Sequence, residues 1–125
     1  MDWKAHVMSK KIDQAAEALR AFGLTYPEAH IKSPWPEHKD VAVNDKTFAY
    51  ISLPGGPLTI SCKLPQSHSM ALGLEFCRPT EYGLGKWGWV TATIEKGAVP
   101  ISLFKEWIDE SYRAQAPKRL VRLLK

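Results

Sequence analysis

Apolar residues recur at helical spacing early in the chain. Ile12, Ala15, Ala16, Leu19 and Phe22 share one side, and Lys11, Gln14, Glu17 and Arg20 fall largely outside it. The pattern predicts a helix from about Ser9 to Phe22, stopped by Gly23, which accepts a positive φ without a Cβ clash. Tyr26-Pro27-Glu28-Ala29-His30 and Ser33-Pro34-Trp35-Pro36 then read as loop, because the two prolines around Trp35 forbid helix and stiffen the backbone.

The period next falls to two. Val41 and Val43 alternate with Asp40, Ala42 and Asn44, and Asn44-Asp45-Lys46 has turn chemistry. Phe48 to Leu53 continues the alternation, with a parity change near Tyr50 that predicts a bulge. Pro54-Gly55-Gly56-Pro57 is a turn, and Leu58, Ile60, Cys62 and Leu64 form the inward row of a half-buried strand. These three strands, joined by short turns, must be antiparallel neighbours. A short helix is expected from about Ser67, its cap, to Phe76. Pro79 to Lys86 reads as a loop or irregular edge, and Trp87 to Ile94 as an aromatic and β-branched strand. A last long helix starts near Pro100–Ser102, stacks Phe104, Ile108 and Tyr112, and is interrupted by Pro117. Asp109 and Glu110 look solvated, while Tyr112 is expected to bury its ring and bond its hydroxyl at the rim.

The expected architecture is α+β: an antiparallel sheet of about five strands with N- and C-terminal helices mainly on one face. At 125 residues, the chain makes a single domain, with 117–125 as its basic C-terminal helical segment. A hydrophobic fraction of 45% against 24% charged residues excludes a disordered tail, and no apolar run is long enough to span a membrane. The two cysteines make no disulfide framework and the polar N-terminus no signal peptide, so a cytoplasmic protein is expected.

The formal charge of +4 is uneven. Five basic residues lie between Ser111 and Lys125 with no acid, which leaves 12 basic residues against 13 acids elsewhere, a net of −1. Lys39, Lys46, Lys63 and Lys86 fall at strand ends or outward positions, where they form a phosphate-contacting stripe or guard sheet edges. If Val90, Ala92 and Ile94 face the helices, Trp87 and Trp89 stand on the open face beside Lys86, suited to stacking on bases. In the opposite reading the tryptophan row is core, or Trp87 belongs to the loop.

Gly83-x-Gly85-x-x-Gly88 copies a phosphate-loop pattern by letter, but it runs into a strand rather than opening a helix. What remains is a nest of backbone amides beside Lys86. His6, His30, His38 and His68 have no metal-ligand spacing, and no nucleophile elbow occurs. No metal, cofactor or catalytic residue is assigned, and His30, Trp35 and His38 are kept as a candidate ligand loop.

Several stretches resemble the MmcQ/YjbR family: Tyr26-Pro27-Glu28-Ala29, Ser33-Pro34-Trp35, Lys46-Thr47-Phe48-Ala49, Ser61-Cys62-Lys63-Leu64, Gly83 through Thr91, and Trp107-Ile108-Asp109-Glu110-Ser111-Tyr112. The family often has glycine after the Pro-Trp pair, where this chain has Pro36 and hence a stiffer loop. The resemblance implies a fold similar to frataxin and secretion chaperones, and DNA binding through a double wing of β-hairpins.

The expectation is therefore a non-enzymatic, low-specificity DNA-binding protein, monomeric or weakly dimeric. Its contacts would be Lys39, Lys46, Lys63, Lys86, Trp87, Trp89, Lys118, Arg119 and Arg122. The alternatives are a protein- or peptide-binding module with an exposed aromatic sheet face, and a small-molecule binder at the Trp35 loop.

Overall fold

The computed structural model describes residues 3–33 and 38–124. The elements run α1 (Trp3–Leu24), β1 (His30–Lys32), β2 (Asp40–Val43), β3 (Lys46–Ile51), β4 (Leu58–Lys63), α2 (His68–Ala71), β5 (Cys77–Pro79), a 3₁₀ turn (Leu84–Trp87), β6 (Trp89–Ile94), α3 (Ile101–Gln115) and α4 (Lys118–Val121). The six strands form one antiparallel sheet in the order β1-β2-β3-β4-β6-β5.

The sheet has six strands rather than about five because both edges, β1 and β5, are three-residue strands. Such strands are too short to show a period, and the sequence reads them as loop. The bulge lies earlier than Tyr50. Thr47 and Ala49 pair with the consecutive residues Ala42 and Val41, so Phe48 is the extra residue of β3.

Period-two burial sorts the faces. Ile60 pairs with Ala92, and Cys62 with Val90; all four are fully buried against the helices. Ile12, Ala16 and Leu19 of α1 and Phe104, Trp107, Ile108 and Tyr112 of α3 complete that core, and Leu120 of α4 closes it. The other face carries Thr59, Ser61 and Lys63 of β4 opposite Thr93, Thr91 and Trp89 of β6.

α1 starts at Trp3, six residues earlier than the Ser9 start expected from its apolar stripe. Its first turns contain Lys4, Ala5 and Met8, residue types of high intrinsic helix propensity. Gly23 lies inside the last turn without a positive φ. A Cβ there would stand 3.3 Å from Val41 Cγ1, so the glycine serves helix-to-sheet approach rather than chain reversal. α2 is also shorter than expected, at four residues.

The polar residues of α3 tie the loops down. Tyr112 is fully buried and its hydroxyl donates to Pro27 O at 2.8 Å. Asp109 and Glu110, expected to be solvated, are engaged: Tyr26 Oη donates to Asp109 at 2.7 Å, and Ser67 Oγ donates to Glu110 at 2.6 Å. Burial, and then the Asp109 carboxylate, push the Tyr26 hydroxyl far above the usual phenol range. Ser67 takes the cap position of α2, but its side chain bonds no helix amide. The Glu110 carboxylate accepts from the amides of Gln66 and Ser67 at 2.9 and 3.0 Å instead.

Candidate nucleic-acid interface

The register brings two hairpin tips to one end of the sheet. Val43 pairs with Lys46 across the β2–β3 turn, where Asn44 and Asp45 both have positive φ, as a two-residue hairpin turn requires. β3 antiparallel to β4, and Lys63 opposite Trp89, place the end of β4 and the start of β6 at that same end. The second tip, residues 80–88, joins β5 to β6. Strand spacing separates the two tips by about 14 Å, with β4 between them.

Three of the expected lysines therefore gather. Lys46 sits at the first tip, Lys63 ends β4 and Lys86 is on the second tip. Lys46 and Lys86 are exposed and Lys63 is half-buried. Lys39 is not with them, since it precedes β2 at the opposite end of the sheet. The C-terminal part of α3 reaches the same end as the three lysines. The Lys63 amide donates to Ser111 Oγ at 2.9 Å, and Gln115 Nε2 donates to Thr47 O at 3.1 Å. α4 follows with Lys118 and Arg122 exposed. Arg119 is occupied, because its guanidinium donates to both oxygens of Glu28 at 3.0 and 3.3 Å. That bond and the arginine charge hold the Glu28 carboxyl below its usual range. Lys125 lies outside the described residues.

The two tryptophans part company. The aliphatic row does face the helices, and Trp89 is on the other face, yet it is only 5% exposed and stacks obliquely on Tyr50 with ring centroids 5.5 Å apart. Neighbouring Thr91 is equally buried and bonded to Ser61 Oγ at 2.7 Å and Thr80 Oγ1 at 2.9 Å. This sheet face is therefore closed around Trp89, which is removed from the contact residues. Trp87 belongs to the 3₁₀ turn and is 67% exposed.

The second tip is pinned. Thr80 N donates to Trp89 O at 3.1 Å, Gly85 N to Thr80 O at 3.0 Å and Gly88 N to Gly85 O at 3.1 Å. A Cβ on Gly85 would stand 2.7 Å from Pro79 Cβ, so only glycine lets the turn lie against β5. Gly83 and Gly88 flank the turn with φ of 78° and 88°, in the left-handed region glycine favours. The glycine spacing thus builds a tight turn. Its Gly85 and Gly88 amides are spent within the tip, which leaves them out of the anion nest considered for Lys86.

The histidines do not converge. His30 pairs with Ala42 in β1, whereas His38 precedes Asp40 at the other end of that strand pair. Trp35 and its flanking prolines lie outside the described residues. Among the described residues no group of three metal-ligating side chains occurs. His38 Nδ1 is 3.3 Å from Asp40 Oδ2, beside a cavity of about 200 Å³ that Tyr50 and Thr59 also line. Asp40 is 3% exposed, and desolvation raises its pKa against the opposing pull of His38, the Ile51 amide and Arg20. The alternation of Asp40 with Val41 and Val43 in the sequence points it away from the helices but carries no sign of its burial.

The YjbR family signature matches residues 24–114, from the end of α1 nearly to the end of α3. The chain belongs to the YjbR family. No curated protein matches it. The YjbR match spans both hairpin tips, the Lys63 strand end and the Asp109–Tyr112 run that ties down the loops, and it stops before α4. Among the described residues, no helix of this YjbR domain is long and apolar enough to cross a membrane.

Proposed function

We propose that this YjbR protein is a non-enzymatic, low-specificity DNA-binding protein, acting in the cytoplasm as a monomer or weak dimer. Lys46, Lys63 and Lys86 neutralise phosphates, Lys118 and Arg122 add to them, and Trp87 supplies the apolar contact. The observation that carries the reading is the Lys86–Trp87 pair, both exposed on a pinned hairpin tip at the lysine-bearing end of the sheet. Side chains of this kind fix a protein on the sugar-phosphate backbone without reading sequence. With a net of −1 outside the C-terminal stretch, affinity is modest and low salt favours binding.

Titration of the native tryptophan fluorescence with duplex DNA at several salt concentrations tests this. Binding weakens by roughly 0.9 log unit per log unit of salt for each phosphate neutralised, so five engaged cations give a slope of about −4.5. No quench, or binding indifferent to salt, overturns the reading. The double variant K118Q/R122Q keeps Leu120 in the core and isolates the α4 contribution, which cutting the chain at Gln115 would not.

One observation favours a protein or peptide partner instead. Met70, in α2 close to this end, is 85% exposed. Salt-independent binding of an apolar peptide, lost in Met70→Ser and Trp87→Ser, would select that reading.

A further inference from the structure

Tyr82 breaks a local rule at the same tip. It is a bulky non-glycine residue at φ 61°, in the left-handed region that side chains avoid, and its ring is 96% exposed. Among the described residues, no hydrogen bond or ring contact of Tyr82 compensates for that backbone strain. Five residues on, Trp87 is also held out to solvent. Lys86 lies between them in sequence, and its side chain folds back toward the Tyr82 side of the tip, with Cε 3.8 Å from where a Cβ on Gly83 would stand. The tip's own hydrogen bonds hold the backbone that carries these side chains before any partner arrives.

We propose that Tyr82 and Trp87 form a two-ring stacking platform for unpaired bases, with Lys86 taking the intervening phosphate, so that the protein prefers single-stranded DNA to duplex. The proposal rests on the DNA-binding reading and names the form of the ligand. A duplex hides the faces of its bases and offers phosphates and groove edges. Two aromatic rings on a rigid tip have no flat partner there. An unpaired strand presents a face at every base, and stacking on it is tolerant of sequence. Glu81, exposed beside Tyr82, is the acid that opposes the phosphate, so the strand must run on the Lys86 side.

Fluorescence anisotropy with the full-length protein decides the matter, using labelled oligo-dT and a duplex of equal length at equal salt. The single strand should bind more tightly. Tyr82→Ala should weaken that binding by roughly 5- to 100-fold and barely change duplex binding. Tyr82→Phe should bind like the parent, since the ring and not the hydroxyl acts, and Glu81→Gln should bind more tightly. Equal binding of both DNA forms, with Tyr82→Ala indifferent and Lys46→Gln or Lys86→Gln still harmful, overturns the platform and leaves the DNA-binding reading standing. A Tyr82-dependent preference for duplex, as for a wedge inserted between base pairs, also overturns it. Failure to bind either DNA removes both readings. The Tyr82 side chain is almost fully exposed, so its variants should fold; a far-UV circular dichroism melt of each checks that.

Discussion

Glu110 and Ser67 are joined twice: the carboxylate of one accepts both the hydroxyl and the backbone N–H of the other, at 2.6 and 3.0 Å. Forty-three residues separate them, so the bond fastens α3 to the start of α2. A carboxylate here replaces a local cap, which the backbone geometry of Ser67 does not provide. Glu110→Ala should lower stability by about 1.5–3 kcal/mol, the range for hydrogen bonds to charged groups. Glu110→Gln, with one acceptor oxygen left, should fall between. Urea denaturation followed by far-UV circular dichroism measures both.

Trp87 and Trp89 should separate function from stability. Trp89 is buried against Tyr50, and Trp89→Ala should cost about 3–5 kcal/mol. Trp87→Ala should stay within about 0.5 kcal/mol of the parent, yet reduce DNA affinity. Paired denaturation and binding curves test the contrast. A stable Trp89→Ala, or an unstable Trp87→Ala, would reverse the assignment of the two rings.

Asp40 should make stability fall as pH rises. Its folded pKa is raised, chiefly by desolvation, above the ordinary value of 3.8. The native state therefore holds the proton more tightly than the unfolded chain. The stability this confers is complete below about pH 3.8 and is lost as pH climbs through the folded value. Asp40→Asn cannot ionise, so its stability relative to the parent should improve across that interval. Urea midpoints of both proteins from pH 3 to 7 check the direction. A parent that gains on the variant would mean that pairing with His38 and Arg20 outweighs burial.

Tyr82→Gly should raise stability while it removes the platform. Glycine adopts the left-handed conformation freely, and the tyrosine ring contributes no packing. A gain of about 1 kcal/mol is expected, the lower end of what that conformation costs an L-residue. Thermal melts of Tyr82→Gly, Tyr82→Ala and the parent should rank glycine first. A lower melting temperature for glycine would show that the tyrosine is held by contacts beyond its backbone.

Long periodic segments were legible in the chain. The α3 stripe of Phe104, Ile108 and Tyr112, and the inward rows of β4 and β6, are buried where their spacing puts them. β1 and β5 were not, because three residues complete no pattern. Alternation places Trp87 in a strand because it cannot register a 3₁₀ turn that ends one residue before β6. Asp109 and Glu110 read as solvated because their partners, Tyr26 and Ser67, are 83 and 43 residues away. Of the candidate interface, the lysines were visible as charges at strand ends. Their convergence depended on strand order, and Tyr82 gave no signal at all, since its unusual backbone exists only in the folded tip.

The brevity of β1 and β5 also bears on how molecules meet one another. Each margin offers a newcomer strand barely three residues of backbone, and on β5 one of those is Pro79, which has no N–H to give. Strand-by-strand growth into fibres has almost no template to start from. Concentrated solutions should stay clear, with the molecules dispersed rather than stitched edge to edge.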